Sequence, residues 1–158
     1  MEGSQNQSVE AVLWGVGFND PSVLEIALKF QGGWKKSWSY RIKRGHSVQS
    51  LEQRAKFQAL AYAGDRVLLA VLDLKLAEEY WQVLKPPETL GHNTLLSNRN
   101  LALVFDRLGI IRHVNINRNA GVKTKASTYE ALVGAIYIDQ GFEAARRFVV
   151  RTLLPEAS

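Results

Sequence analysis

Asp65 is the first residue in the sequence whose type and position could support chemistry. It follows Gly64 inside an otherwise apolar helical stretch. Both are poor helix formers, and glycine alone costs about 1 kcal/mol relative to alanine, so their presence there needs an explanation. One explanation is a metal-binding carboxylate beside a close helix contact. The alternative is that Gly64 permits packing while Asp65 faces water, as most aspartates do.

Glu130 is the second such residue, and it precedes the apolar run from Ala131 to Tyr137. Residues 127–130 read Ser-Thr-Tyr-Glu, which fits a Ser-x-x-Glu capping box. In that arrangement the glutamate satisfies amides at the start of a helix and has no chemical role. The local pattern by itself favours this capping function.

The two acids nevertheless lie in helices that each carry a glycine suited to close approach, Gly64 and Gly134. If the helices cross at these glycines, Asp65 and Glu130 converge. Two carboxylates on facing helices are the smallest set of oxygen ligands that could hold a Mg²⁺ ion whose other ligands are water and a substrate phosphate.

A segment at residues 34–46 interleaves cations with aromatic residues. Such a segment could contact phosphates and stack on sugars or bases, or it could be an ordinary solvated loop. Its cations are Lys35, Lys36, Arg41, Lys43 and Arg44, and its aromatic residues are Trp34, Trp38 and Tyr40.

Other kinds of site are excluded or find no support. The chain has no cysteine, which rules out disulfides, thiolate zinc sites and cysteine nucleophiles. His46, His92 and His113 lack metal-ligand spacing, so we expect surface or structural roles for them. No phosphate-binding glycine loop, dinucleotide fingerprint or nucleophile elbow is present. The net charge of +5 suits a polyanionic partner such as nucleic acid.

The elements that must position these residues are helices, because apolar residues recur at helical spacing through most of the chain. With 158 residues, 46% of them hydrophobic, the chain is long enough for one sizeable core. We expect a single all-α domain at residues 9–154, a flexible N-terminus at 1–8 and a tail at 155–158. No apolar run approaches the roughly 20 residues of a membrane span, so no membrane association is expected.

The pattern predicts a long, central helix at residues 51–80. Asn19 or Asp20 is expected to cap the helix that begins at Pro21, and Gly109 to close another. Residues 110–125 are expected to be irregular. The remaining predicted helices are at residues 9–14, 21–30, 94–108, 128–139 and 142–154.

Four stretches of the sequence resemble ribonuclease III endonuclease domains. Residues 17–28, beginning Gly-Phe-Asn-Asp-Pro, are similar to the opening of that family, and residues 97–102 to a later helix. Residues 60–68, Leu-Ala-Tyr-Ala-Gly-Asp-Arg-Val-Leu, resemble its signature helix. Residues 129–141 match the second acidic motif almost residue for residue. The resemblance implies an all-α helical bundle that forms a homodimer.

The family usually places four acids around Mg²⁺, and the resemblance assigns two of those positions to Asp65 and Glu130. Ala61 and Ser127 occupy the other two, so this site is degenerate. The compact Mini-III branch, which lacks a double-stranded-RNA-binding domain, has the same Ala-Tyr-x-Gly-Asp and Ser-Thr-x-x-Glu-Ala-Leu patterns. We expect no such domain here either. Elsewhere, at Asn98 and residues 137–141, the sequence is more similar to conventional or fungal forms.

Two functions follow from the resemblance. The first is endonucleolytic cleavage of double-stranded or structured RNA, with Mg²⁺ or Mn²⁺ held by Asp65 and Glu130. In this case the 34–46 cations, with Arg99 and Arg118, would bind the RNA backbone. The second is a catalytically inactive RNA-binding or scaffold protein, for example of a ribonucleoprotein complex. The missing acids at Ala61 and Ser127 favour the second.

Overall fold

The computed structural model describes residues 13, 16–31, 45, 47–84, 94–114 and 120–154. Throughout these residues the regular secondary structure is helical, which confirms the predicted all-α class. No helix in the described part is long and apolar enough to cross a membrane. The elements are α1 (Pro21–Lys29), α2 (Val48–Val83), α3 (Asn98–Leu108), a 3₁₀ turn (Ile111–His113), α4 (Val122–Gln140) and α5 (Phe142–Leu153).

Two predicted elements fall outside the described residues. These are the helix at residues 9–14, apart from the buried Leu13, and the basic aromatic segment at 34–46, apart from Gly45. The long helix predicted at 51–80 is present as α2 and is slightly longer at both ends.

Short polar side chains cap the helices where the sequence indicated. Asp20 caps α1, since its carboxylate accepts a hydrogen bond from the Ser22 amide at 3.0 Å, and Pro21 occupies the first turn. Helix α3 begins at Asn98, four residues later than predicted, because the Ser97 hydroxyl accepts the Asn100 amide and caps the helix there. Gly109 closes α3 in the left-handed conformation, with φ of 69°.

Helix α4 begins at Val122, six residues before the predicted start, so the prediction of irregular structure through residue 125 was wrong. Tertiary contacts extend it. The Lys125 ammonium lies 2.9 Å from the Asp106 carboxylate of α3, and Ala126 is fully buried. Lysine and alanine are also favourable helix formers, so packing and propensity agree over this first turn.

Helix α4, rather than α2, is the centre of the fold, because it packs against each of the other four helices. Its middle section is apolar on every side, as expected for a helix segment enclosed by others. All residues from 131 to 136 are buried. Its interface with α2 is the largest in the described structure. This pairing sets the relative position of any side chains that α2 and α4 share.

Two glycines bring the backbones of α2 and α4 into direct contact. A Cβ atom added to Gly64 would overlap the Glu130 carbonyl oxygen, and one added to Gly134 would overlap the Leu60 carbonyl oxygen. Neither helix therefore has room for a larger residue at its glycine. The helices therefore cross at Gly64 and Gly134, which is the condition for Asp65 and Glu130 to converge.

Candidate active site

The crossing of α2 and α4 brings Asp65 and Glu130 together. Glu130 presents its carbonyl to Gly64, and Asp65 is the next residue on α2. The two carboxyl groups are close enough to interact, because the charge of Asp65 and hydrogen bonding to it both help to raise the pKa of Glu130. The convergence that the two glycines predicted is thus present.

The electrostatic state of the pair is unusual for carboxyl groups. Burial, the negative charge of Asp65 and the hydrogen bond to Asp65 together raise the pKa of Glu130 from 4.5 to about 7. The Asp65 side chain is 46% exposed, so the pair is open to solvent on the Asp65 side. Near neutral pH, the Glu130 carboxyl is therefore protonated in about half of the molecules, although an ordinary glutamate would be ionised.

The capping-box interpretation of residues 127–130 was wrong. Because α4 begins at Val122 with Gly121 at its N-cap, Ser127 and Glu130 lie in the second and third turns. The amides near them are already bonded within the helix. The neighbouring Thr128 hydroxyl donates to the Thr124 carbonyl at 2.8 Å, a bond internal to the helix. Glu130 is left without a capping role.

Ala61 and Ser127 each lie one helical turn before an acid, Ala61 before Asp65 and Ser127 before Glu130, and both are partly buried. Neither supplies a carboxylate. Within the residues that the structure describes, no group of three or more His, Asp or Glu side chains could hold a metal ion. The described part of the site thus offers two acids.

Asp139 does not replace a missing acid. It is nine residues beyond Glu130, which corresponds to about 13.5 Å along the axis of α4. Its carboxylate instead accepts the backbone amides of Asn19 and Asp20, each at 2.8 Å. Asp139 thereby fixes the segment before α1 to the end of α4.

Arg66 is a charged neighbour of the acid pair that we did not predict. Its Nε lies 3.9 Å from the Asp65 carboxylate, and its guanidinium lies 4.9 Å from the centre of the Tyr62 ring. The spacing of Tyr62 and Arg66, four residues apart on one helix, could have indicated this contact. A cation therefore borders the acids at their exposed edge.

Of the residues predicted to contact RNA, Arg99 is described, and it is exposed in the first turn of α3. Lys35, Lys36, Arg41, Lys43, Arg44 and Arg118 lie outside the described residues. His113 is partly buried in the 3₁₀ turn, and His46 and His92 also lie outside the described residues.

The acid pair fits a divalent cation. Two carboxyl groups lie at one helix crossing, and the pKa of Glu130 is raised by burial and because Asp65 repels its ionised form. A cation between the two oxygens would remove that repulsion. Mg²⁺ is commonly bound through one or two carboxylates and completes its coordination with water and phosphate.

The comparisons with known proteins agree with this arrangement. A family model of the ribonuclease III domain matches residues 58–141, which include both acids and both glycines of the crossing. Ribonuclease 3 of Sinorhizobium fredii is 33% identical over 84% of this chain. Ribonuclease 3 of Symbiobacterium thermophilum is 35% identical over 61% of it. The chain covers 57% and 43% of these two relatives, so it spans about half the length of the curated relatives that it matches.

Solved structures show the same fold. The nuclease domain of ribonuclease III from Campylobacter jejuni superimposes with a TM-score of 0.67 at 20% identity, over 95% of this chain and 94% of that one. A second structure of that domain, described for structural flexibility in a region involved in dimer formation, gives a TM-score of 0.66 at 22% identity. It covers 93% of this chain and 94% of that one. The helical order, the glycine crossing and the matched residues lead to one conclusion: the chain belongs to the ribonuclease III domain family.

Proposed function

We propose that this protein is an endonuclease that cuts double-stranded or structured RNA and requires Mg²⁺ or Mn²⁺ held by Asp65 and Glu130. One observation carries the proposal. Glu130, in the third turn of a buried helix, lies at the crossing beside Asp65, and burial together with Asp65 raises its pKa to about 7. A purely structural role would not explain this pair of acids, because two negative charges brought together destabilise the fold.

A metal ion bound between Asp65 and Glu130 would supply Lewis-acid stabilisation of the charge that develops on a phosphate. Glu130 must release its proton to serve as a ligand, and its raised pKa places that release near neutral pH. Asp65, 46% exposed, faces the solvent from which substrate would approach. Arg66, held against Tyr62 and beside Asp65, adds positive charge at this entrance.

The RNA would be recognised mainly by shape and backbone charge, because an A-form duplex exposes phosphates and 2′-hydroxyl groups more than base edges. The excess of cations and the exposed Arg99 support this part of the proposal. We further propose that two copies of the single domain at residues 9–154 form a homodimer with one acid pair in each subunit. Tyr62 of α2 is 64% exposed, and its large ring could contact the second subunit of such a dimer.

Cleavage of a labelled RNA duplex tests the proposal. The wild-type protein should cut only with Mg²⁺ or Mn²⁺, and Asp65→Asn and Glu130→Gln should each abolish cutting. Glu79→Gln is a matched control, because it removes an exposed acid from α2 about 21 Å along the helix from Asp65. Cutting that survives in both acid variants would refute the assignment of the site.

The alternative function is a catalytically inactive RNA-binding or scaffold protein with this fold. Ala61 and Ser127 favour it, because they occupy two positions at which the family resemblance expects an acid. Thermal unfolding distinguishes the two functions. A working site should give a metal-dependent rise in melting temperature that disappears in Asp65→Asn, whereas an inactive protein should bind duplex RNA without any such rise.

A further inference from the structure

A cavity lies at the C-terminal end of α4, beyond Glu130. A cavity of about 220 Å³ opens between the segment before α1 and the exposed side of α5. Its apolar walls come from Leu13, Val16, Ala144 and Phe148. Gln140 and two exposed arginines of α5, Arg147 and Arg151, also line it. We call this the arginine cavity.

The two arginines of this cavity are one helical turn apart and carry the same charge. Like charges at this spacing repel one another and weaken a helix. Within the described part of the chain, neither guanidinium has a carboxylate in ion-pair contact. The nearby Glu143 attracts Arg147 electrostatically, but its oxygens accept hydrogen bonds from Arg146. An anion placed between Arg147 and Arg151 would remove the repulsion.

The part of the cavity lining at Gly17 is bonded to the end of α4. The Gln140 amide donates a hydrogen bond to the carbonyl of Gly17. The Asp139 carboxylate holds the next amides of the same segment, those of Asn19 and Asp20. These bonds join residues about 120 positions apart in the sequence. This side of the cavity is therefore preformed, which lowers the entropic cost of binding.

We infer that the arginine cavity binds a phosphate group at the end of a nucleotide or an RNA strand. Two guanidinium groups match the geometry of phosphate oxygens and bind them through paired hydrogen bonds. At about 220 Å³ the cavity is smaller than the roughly 300–1,000 Å³ of pockets for drug-sized ligands. It therefore suits a terminal phosphate with its attached sugar, and the apolar wall excludes a continuous duplex from its interior.

RNA as the source of this phosphate rests on the proposed function, whereas a free nucleotide does not. The cavity is distinct from the acid pair, because Gln140 lies ten residues beyond Glu130, about 15 Å along α4. The two sites can therefore be tested separately.

Binding of short labelled RNA in EDTA, where metal-dependent cutting cannot occur, tests the inference. Strands with a 5′-phosphate should bind about tenfold more tightly than the same strands with a 5′-hydroxyl. Arg147→Gln and Arg151→Gln should each abolish this preference. Arg146→Gln should retain it, because it removes the same charge from the same helix at a residue already paired with Glu143. Equal melting temperatures of the variants would confirm that all are folded.

Adenosine monophosphate and inorganic phosphate, added as competitors, identify the source of the ligand. If adenosine monophosphate competes at concentrations well below those at which 5′-phosphorylated RNA binds, the ligand of the cavity is a free nucleotide. If the monophosphate competes only at higher concentrations than that RNA, the ligand is an RNA end. Equal binding of phosphorylated and unphosphorylated strands, without saturable binding of the monophosphate, would overturn the inference. Loss of cleavage in Asp65→Asn bears on the proposed function alone.

Discussion

The carbonyl oxygen of Glu130 lies against the α-carbon of Gly64, so the main chain of one candidate ligand packs on the residue preceding the other. This contact sets the separation of the helices at the point where the acids meet. Gly134 and Leu60 repeat it about one turn away. The acid pair is thus positioned by backbone packing, which is stiffer than side-chain packing.

Adding a methyl group at either glycine should therefore destabilise the protein. For Gly64→Ala and Gly134→Ala we expect a loss of about 1–3 kcal/mol in the free energy of unfolding, even though alanine favours helix formation. Gly17→Ala is the control, since Gly17 lies outside the helices and a Cβ there meets nothing within 4 Å. Urea denaturation measures all three. If Gly64→Ala and Gly134→Ala unfold with the wild-type free energy, the helices can move apart without loss of stability and the expectation is wrong.

The raised pKa of Glu130 should make stability depend on pH in the absence of metal. Its folded-state pKa of about 7 exceeds the ordinary 4.5, so between these values the native protein holds a proton that the unfolded chain has released. Stability should fall as pH rises through this window, by about 1–2 kcal/mol after allowance for partial exposure.

Glu130→Gln should remove that dependence. Its unfolding free energy should stay more nearly constant from pH 4.5 to 7 and exceed that of the wild type above pH 7. Denaturation at several pH values in EDTA measures it, with Glu79→Gln as the exposed-acid control. A wild-type curve that rises through this window would contradict the environment described for Glu130.

Restoring the two missing acids should strengthen metal binding. Ala61→Glu and Ser127→Asp each add a carboxylate one turn before an existing acid, and we expect about tenfold tighter binding of Mn²⁺. The concentration of Mn²⁺ that gives half of the rise in melting temperature measures the change. Ala59→Glu adds the same charge at an exposed position of α2 and should have little effect. An equal effect of all three would indicate general electrostatic attraction only.

A buried hydroxyl pair joins α4 to α5 and gives a prediction independent of the metal. The Tyr129 and Thr152 hydroxyls lie 2.6 Å apart, and burial raises the pKa of Tyr129. The Thr152 hydroxyl also contacts the Phe148 carbonyl at 2.8 Å, so removing the tyrosine hydroxyl leaves it with one partner. Tyr129→Phe should lose about 1 kcal/mol in thermal unfolding. Tyr137→Phe, at an exposed ring, should change stability little; similar losses in both would contradict this account.

The sequence indicated that Asp65 and Glu130 could meet, because the glycines that allow it are local, although the local pattern at Glu130 favoured capping and the family resemblance was needed to assign the pair. Gly64 and Asp65 are adjacent, and Gly134 follows Glu130 by one turn, so helical spacing alone puts each acid beside a close-packing residue. The helix start at Val122 could not be predicted in the same way. It depends on the contact of Lys125 with Asp106, which is formed only after α3 and α4 pack.

The same reasoning explains the error at residues 127–130. A Ser-x-x-Glu pattern indicates a helix start only where the chain is not already helical. Here the preceding turn is stabilised by tertiary contacts, so Ser127 lies within the helix. The arginine cavity was also beyond sequence analysis. Arg147 and Arg151 are visible as a pair, but Leu13, Val16 and Gly17, which line the same cavity, are distant from them in the sequence.

The hydrogen bonds from Asn19 and Asp20 to Asp139 also bear on how the protein folds. They close a loop of about 120 residues, so they connect the beginning of the described structure with its last helical pair. Contacts between residues so distant in sequence form late, after local helices and their nearest packing partners. The amide protons of Asn19 and Asp20 should therefore gain protection from hydrogen exchange late in refolding, and their exchange rates report when the chain has closed on itself.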